Sequence, residues 1–467
     1  MPSVSITTSK LTFIICLLSF FTASAQENSP YSRYGLGDLY PSQNIVNRGM
    51  GGLTAAYTDP VGQSINFSNP ASYADFQRTP GVGGRVLYDL GFSIDSRTLR
   101  SKAPIKKYSS ANFIPSYLSL GFPIAKNLGG AIVVRPYSRI NYSIITNTRL
   151  AGIDSAQYQY EGSGGVNQAF FGLGKRWGGL SLGFNAGYMF GKKETNTRLG
   201  IINTNIADTG YNPFYYKSNS GTVTTLGKFF FSLGGIYDVR LKTIAKTDKR
   251  PEYEYGVRLG GTAMFKQTFH GSQDIIRETF EYDGAGGTVS LDSVYKTTGT
   301  GIDIEIPAVY TVGAMFRKTI VVDRATNSKY DVWTIGAELE TSKWTQYRFG
   351  GTSDRLNDYW QLRLGGQILP STTSPAILAR STYRFGVALG RDYINADGNG
   401  LKTFSGTFGM GVPIAVRNSY SSQFTKLNFA VEIGKRGSNV NNITENFVRF
   451  SVGLSLSDVW FRKRKYD

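Results

Sequence analysis

The sequence predicts an all-β protein: a 14-stranded antiparallel transmembrane β-barrel with an N-terminal plug, or hatch, segment. Three observations carry this prediction, namely the composition, a secretory leader, and long segments in which apolar and polar residues alternate. Of the 467 residues, 55 are Gly, 29 are Tyr and 29 are Phe, and 18% are charged. Glycine above its usual share of ~7%, together with abundant aromatic residues, favours strands over helices.

The first 25 residues are predicted to be a secretory signal peptide. Lys10 is the one charge in this stretch, an apolar run extends from Leu11 to Phe21, and Ala23-Ser24-Ala25 supplies a cleavage site. The run is shorter than the ~20 residues that a membrane-spanning helix needs. Cys16, the one cysteine of the chain, lies inside this run, so the mature protein is expected to have no thiol.

The rest of the chain can cross a membrane only as a closed barrel, because no later stretch is apolar enough for a spanning helix. Barrel strands alternate apolar residues facing lipid with polar residues facing the lumen, as Val448, Phe450 and Val452 alternate with Arg449 and Ser451. Fourteen such segments are predicted: 82–93, 112–124, 129–142, 157–176, 178–192, 223–240, 252–269, 303–319, 330–347, 358–370, 379–392, 401–415, 424–436 and 444–457. The competing fold is a secreted β-sandwich or propeller, which is disfavoured because the sequence shows no repeat at fixed spacing.

The lengths of the connections predict how the barrel is oriented. With a periplasmic N-terminus, the long connections 193–222 and 270–302 face outward, and the short turns at 125–128 and Trp177-Gly178 face inward. Long outer loops and short periplasmic turns are typical of bacterial outer-membrane barrels. We therefore predict a protein of the Gram-negative outer membrane with both termini in the periplasm.

Residues 26–79 do not alternate and are rich in Gly, Pro, Asn and Ser. A segment of this size ahead of a wide barrel can fold into the lumen and plug it. The predicted division of the chain is a signal peptide (1–25), a plug or hatch segment (26–79), a barrel (80–457) and a basic periplasmic tail (458–467).

The plug segment carries the most specific motifs of the chain: Arg48-Gly49-Met50-Gly51-Gly52, Asp59-Pro60 and Asn69-Pro70-Ala71. By these motifs the chain resembles the FadL family of outer-membrane transporters for hydrophobic compounds. Weaker downstream pieces support the resemblance, among them Gly164-Gly165-Val166-Asn167 and the stretch from Glu338 to Trp344. The opening stretch from Ser29 to Asp38 and the basic C-terminus look like the Bacteroidota branch of this family.

The resemblance implies a hatch domain and a lateral opening at a kink in the third strand, through which a hydrophobic ligand leaves sideways. The hatch motif residues would be Arg48, Gly49, Gly51, Gly52, Asp59, Pro60, Asn69, Pro70 and Ala71. The opening would lie at Arg135, Pro136 and Tyr137, since proline cannot donate to a strand ladder. Alternatively, Pro136 lies near the outer rim and only ends the paired region.

Enzymatic, metal and cofactor chemistry is not expected. His270 is the one histidine, predicted to begin the longest outer loop, and a single histidine without a cysteine cluster makes no zinc site. The sequence offers no serine nucleophile in an elbow context and no cofactor motif. The formal charge of +18 is not taken as a sign of nucleic-acid binding, because the chain is predicted to be secreted.

Basic residues gather on the predicted periplasmic side, at Lys242, Lys246, Lys249 and Arg250 and in the tail at Arg462, Lys463, Arg464 and Lys465. They are interpreted either as solvated turn residues in contact with outer-membrane lipid phosphates, or as a surface that docks an acidic partner protein.

Two functional hypotheses remain from the sequence. The first is a conduit that passes a hydrophobic, fatty-acid-like small molecule past the hatch and out at strand three. The second is a structural or adaptor subunit, without transport, in an outer-membrane protein secretion or assembly complex. The first predicts an apolar pocket between plug and wall, and the second predicts a well-filled lumen.

Overall fold

The computed structural model describes residues 29–59, 63–76, 78–79, 83–150, 153–202, 215–247, 251–283, 287–323, 328–372, 374–396, 398–414 and 424–460. The predicted signal peptide, Pro60, Lys249, Arg250 and the basic residues from Arg462 to Lys465 lie outside the described residues.

Fourteen strands form the wall within these ranges, as predicted. They are β1 (Gly83–Lys102), β2 (Ile105–Ala125), β3 (Leu128–Leu150), β4 (Ile153–Trp177), β5 (Leu180–Ile202), β6 (Lys217–Ile244), β7 (Glu252–Met264, continued by Gln267–Tyr282), β8 (Thr288–Ile306, continued by Val309–Asp323), β9 (Ser328–Ser342), β10 (Tyr359–Ile368), β11 (Thr382–Ala396), β12 (Asn399–Ile414), β13 (Phe424–Arg436) and β14 (Ile443–Trp460). Each strand is antiparallel to the next. β14 pairs with β1 from Ile443↔Ser101 to Trp460↔Gly84, and this ladder closes the barrel.

The side chains are sorted as a membrane barrel requires, with polar groups inside and apolar groups outside. Asp89, Asp95 and Arg363 are buried in the lumen, whereas Phe113 and Phe404 are 56% and 58% exposed on the outer wall. The alternation in the sequence is the cause, because successive residues of a strand point to opposite faces. Among the described residues, no helix is long and apolar enough to cross a membrane.

The remaining elements are short. Residues 29–59 and 63–76, called the plug here, lie inside the barrel and contain Pro30–Arg33 (3-10 helix), Asp38–Leu39 (strand), Ile45–Arg48 (α-helix) and Pro70–Asp75 (3-10 helix). Outside the plug lie the strands Arg78–Thr79 and Arg348–Phe349, the 3-10 helix Trp344–Gln346 and the α-helix Ile377–Arg380. Asn44 and Asn69 cap two of the plug helices, since their side chains accept from the amides of Asn47 and Ala71.

The two ends of the barrel differ. Turns of two residues join β2 to β3 and β4 to β5 at one end, called the short-turn end. At the opposite end, called the extension end, the strands run further than predicted. Within the predicted loop 193–222, residues 193–202 and 217–222 are paired strand, and the described residues of the predicted loop 270–302 form a hairpin of β7 and β8. His270 therefore lies on a paired strand rather than at the start of a loop.

The ladder between β2 and β3 stops well before the ends of these two strands. These strands pair from Ala125↔Leu128 only as far as Leu118↔Val134, although each continues toward the extension end. Pro115 and Pro136 lie just beyond the last pair, and a proline has no N–H to give to a ladder. We call this unpaired stretch the β2–β3 seam.

Candidate functional site

The candidate site is a cavity of about 320 Å³ between the plug and the barrel wall. Its lining is rich in ionisable side chains of both signs. They are Asp38, Arg48, Arg97, Arg135, Glu340, Arg363, Asp392, Glu432, Arg436, Glu445 and Arg449. Aromatic groups such as Phe170, Phe230 and Trp344 line another part of it.

Asp38 joins the plug to the wall on the side of β1 and β13. Its carboxylate lies 3.0 Å from Arg97 Nη1 and 2.7 Å from Arg436 Nη1. Burial opposes ionisation of this carboxyl group, but the two guanidinium groups outweigh that effect and hold the pKa of Asp38 below its usual value. Arg436 also pairs with Asp392 at 2.7 Å, and Arg97 with Glu445 at 3.0 Å, so the network reaches four wall strands.

Glu338 of β9 joins the middle of the plug to the opposite wall. Its Oε2 atom accepts hydrogen bonds from the backbone amides of Thr54 and Ala55, each at 2.6 Å. Its Oε1 atom lies 2.7 Å from Arg363 Nη1, and Arg363 also pairs with Glu340 at 2.9 Å. A buried carboxylate is stable when several donors bind its oxygens, as the two amides and Arg363 do here. Glu338 can therefore hold the plug while remaining buried.

The predicted Arg-Gly-Met-Gly-Gly motif forms the next contact. Arg48 is buried and donates to Ser93 Oγ of β1 at 2.9 Å and to three oxygens of the plug itself. Gly51 and Gly52 have φ of +72° and +91°, a region that favours glycine, and the Gly51 amide donates to Thr407 Oγ1 at 2.8 Å. Gly49 lies directly against Gly409 of β12. These residues are packing contacts between plug and wall.

The Asp-Pro and Asn-Pro-Ala motifs serve the plug in a similar way. Asp59 accepts from the Gln63 amide at 3.2 Å and from Ser64 Oγ at 3.0 Å. Asn69 caps the helix that begins at Pro70, and its Nδ2 donates to the carbonyls of Ala55 at 2.5 Å and of Gly235 in β6 at 3.3 Å. Ala71 is fully buried.

Of the three predicted seam residues, Arg135 and Tyr137 line the cavity beside the plug, and Pro136 lies between them on β3. The strand Asp38–Leu39 pairs with β3 at Arg139 and Ser138, beyond the end of the β2–β3 ladder. The Tyr40 amide donates to the Tyr137 carbonyl at 2.9 Å, and Tyr40 Oη lies 2.8 Å from Ser116 Oγ of β2. The plug therefore covers the seam from inside. Arg135 lines the cavity, and its Nε and Nη1 are buried without a hydrogen-bond partner in the part of the chain that the structure describes.

The other predicted residues lie away from the cavity. Lys242 and Lys246 are exposed at the short-turn end, and the rest of the predicted basic surface falls outside the described ranges. His270 Nδ1 lies 2.5 Å from Oδ1 of Asp303, its cross-strand neighbour, and both side chains are mostly exposed. No group of three His, Cys, Asp or Glu among the described residues is placed to hold a metal ion.

Sequence reasoning missed Asp38, Pro115 and the role of Glu338. Pro115 could have been noticed in the sequence, because it is a proline within β2, the strand next to the one that contains Pro136. The role of Glu338 had a weaker signal, because Glu338 and Glu340 are two acids on the same face of one predicted strand. Asp38 had none, since its partners Arg97 and Arg436 lie 59 and 398 residues away along the chain.

Comparisons with known proteins agree on one fold. The family model described as BamG matches residues 8–467. A Pseudomonas aeruginosa FadL homologue aligns with a TM-score of 0.50 and 12% identity, over 91% of this chain and 100% of that one. The Pseudomonas putida toluene transporter TodX aligns with a TM-score of 0.50 and 13% identity, over 90% and 99%. A TodX mutant described as a monoaromatic hydrocarbon channel aligns with a TM-score of 0.52 and 13% identity, over 89% of this chain and 99% of that one.

No curated protein sequence matches this chain. The identities to the solved structures are low, so these likenesses show the fold, which is that of FadL-like outer-membrane barrels.

Proposed function

The chain belongs to the BamG family, and from this premise we propose that it is a plugged outer-membrane barrel that acts as a structural or adaptor subunit of a larger assembly. Its termini lie in the periplasm in this proposal. The observation that carries it is that the plug is tied to the wall at two places, by ion pairs at one and by hydrogen bonds to a buried carboxylate at the other. Asp38 binds Arg97 and Arg436 on one side, and Glu338 binds Thr54 and Ala55 on the other.

The lumen is not well filled, contrary to the expectation for a scaffold: it keeps a cavity of about 320 Å³, and the ion pairs in the lining of that cavity are what support this proposal. An apolar ligand in the lumen would lie against Arg97, Arg436 and Arg449. Each of these arginines already forms an ion pair with an acidic side chain. Such a ligand would take water from these charged groups without giving a hydrogen bond in return, and that costs free energy. A channel for apolar compounds is instead expected to have a mainly apolar pocket with few polar groups.

The experiment that tests the proposal is purification of the tagged full-length protein from its native membrane in a mild neutral detergent. We expect a complex of fixed stoichiometry that survives size-exclusion chromatography. The exposed lysines at the short-turn end offer a directed variant, Lys242→Glu with Lys246→Glu, which should weaken the complex if the partner is acidic. The matched control reverses two exposed lysines at the extension end, Lys106→Glu with Lys107→Glu. A protein that elutes alone, with an apolar molecule bound in the lumen, would overturn the proposal.

A second candidate is passage of a hydrophobic compound, with exit through the β2–β3 seam. The observation that favours it is the end of the β2–β3 ladder at Leu118↔Val134, beside Pro136. The related fold of the toluene transporter TodX gives the class of compound to be tried first. For this candidate the plug would have to leave β3 at Ser138 and Arg139 before a molecule could pass.

A further inference from the structure

The outer wall near the extension end carries a row of cations that the proposed function does not use. Arg391 of β11, Lys402 of β12 and Lys435 of β13 are exposed on neighbouring strands, and we call them the outer-wall basic cluster. Arg391 lies directly opposite Lys402 in the strand register, and Lys435 lies opposite Phe404. Like charges placed directly opposite each other destabilise a sheet, so this arrangement calls for an anion.

The acids of the same strands do not supply that anion. Asp392, Glu432 and Glu445 face the lumen, where they pair with Arg436, Arg449 and Arg97. None of the three cluster cations forms an ion pair with any residue in the described ranges. The acids Asp392, Glu432 and Glu445 are thus neutralised by arginines inside the lumen, and among the described residues the three cluster cations outside have no acid beside them.

The level of the cluster is that of the lipid–water boundary. On the outward face, an apolar residue lies two positions from each cation, on the side toward the middle of the membrane. These residues are Leu389, Phe404 and Ile433. Trp360 of β10 is 39% exposed and lies opposite Arg391 in the register. Tryptophan is enriched at membrane interfaces, and lysine or arginine next to it reaches the phosphates of lipid head groups.

A groove of about 370 Å³ lies on the outer wall beside the cluster. Phe404, Ile433 and Val448 line its part nearer the membrane, and Lys435, Asn446 and Thr98 line its part nearer the extension end. The groove is therefore apolar toward the bilayer and polar toward the water, which matches a molecule with acyl chains and a hydrogen-bonding head group.

We propose that this surface binds a phosphate-bearing lipid, whose phosphate lies against Arg391, Lys402 and Lys435 and whose acyl chains lie in the groove. A free phosphate would satisfy the cations but would leave the apolar floor at Phe404 and Val448 unused, so the lipid is the source to which the geometry points. The inference goes beyond the proposed function, and it holds whether the barrel is a scaffold or a conduit.

The test uses the purified full-length protein in a neutral detergent. It is titrated with diphosphoryl lipid A, with the same lipid freed of its phosphates, and with inorganic phosphate alone, and bound lipid is counted by native mass spectrometry. We expect the phosphorylated lipid to bind at least about tenfold more tightly than the phosphate-free lipid, since each cation near a head group contributes about 1 kcal/mol.

The variant Arg391→Gln with Lys402→Gln and Lys435→Gln should lose that difference. The control variant Lys106→Gln with Lys107→Gln and Lys296→Gln removes three exposed charges at the extension end, away from the cluster, and should keep it. The conservative variant Arg391→Lys with Lys402→Arg should bind like the wild type, which separates lost charge from lost folding. Equal binding of the two lipids by the wild type, unchanged binding by the triple variant, or binding of inorganic phosphate without the lipid would each overturn the proposal.

Discussion

Glu338 of the wall holds the backbone amide of Thr54 in the plug, with Oε2 2.6 Å from the amide nitrogen. The same oxygen accepts from the next amide along the chain, and the other carboxylate oxygen pairs with Arg363. One buried carboxylate therefore fixes two consecutive plug amides and neutralises a buried guanidinium group.

Replacing Glu338 by Gln should loosen the centre of the plug. The amide side chain has one acceptor oxygen and no charge, so Arg363 loses one of its two ion pairs and now competes with the two plug amides for that single oxygen. Breaking a buried pair in this way costs about 3 kcal/mol. We expect much faster hydrogen exchange at the amides of Thr54 and Ala55, measured by mass spectrometry. The exposed Asp292→Asn is the matched control, and equal exchange in both variants would contradict this assignment.

Acid should weaken the N-terminal part of the plug through Asp38. Its pKa in the folded protein lies below the ordinary value, so the ionised form stabilises the fold. This contribution is complete above the ordinary pKa of about 4 and is lost as the pH falls through the lower folded value. The unfolding midpoint of wild type should exceed that of Asp38→Asn at pH 7, and the difference should shrink below pH ~4.

The readout for Asp38 is thermal unfolding in detergent, followed by circular dichroism across the pH range. Asp303→Asn removes an exposed carboxylate from the extension hairpin and serves as the control. A difference between wild type and Asp38→Asn that grew toward low pH would have the wrong sign.

Gly51 should not tolerate alanine. It has φ of +72°, and an added Cβ would lie 3.0 Å from the Leu364 carbonyl oxygen and 3.1 Å from two backbone atoms of Val387. Gly398 is the control, because its φ is +79° but a Cβ there meets nothing within 4 Å. Gly398→Ala should cost the conformational strain of about 1–2 kcal/mol, and Gly51→Ala clearly more. The fraction of barrel that stays folded on heating measures the effect of each variant. Equal decreases for Gly51→Ala and Gly398→Ala would show that the plug can shift to accommodate a Cβ at position 51.

Threonine in place of Pro115 and Pro136 should lengthen the β2–β3 ladder. Each substitution restores a backbone donor, so amides just beyond Leu118 and Val134 should exchange more slowly. Pro413→Thr in β12 is the control, since it leaves the seam untouched. For a scaffold, entry of toluene into cells stays unchanged in the double variant. A fall in entry would instead support the second candidate, with exit through the seam.

The wall was predictable because each strand has one apolar face. All fourteen strands were found in the sequence, and so was the break at Pro136. The strand extensions were not, because segments such as 193–202 and 288–300 stand in water on both faces and carry no alternation. For the same reason His270 was assigned to a loop.

The candidate site was predictable only where it is local. The glycines at 51 and 52 and the Asn69 cap follow from short motifs whose geometry demands those residue types. The ion pairs of Asp38 with Arg436 and of Glu338 with the plug join positions hundreds of residues apart. The local sequence around these residues does not predict the contacts, because the partners come together only when the barrel closes.

The contact between Asp38 and Arg436 also bears on how the chain folds. Asp38 lies ahead of the first strand, and Arg436 ends the thirteenth, which pairs with β14 beside the β1–β14 closure. A contact of such sequence separation forms late, since the loop between its ends is costly to close. A chain truncated before β13 would lack Arg436, and Asp38 would then have to be held in the lumen by Arg97 of β1.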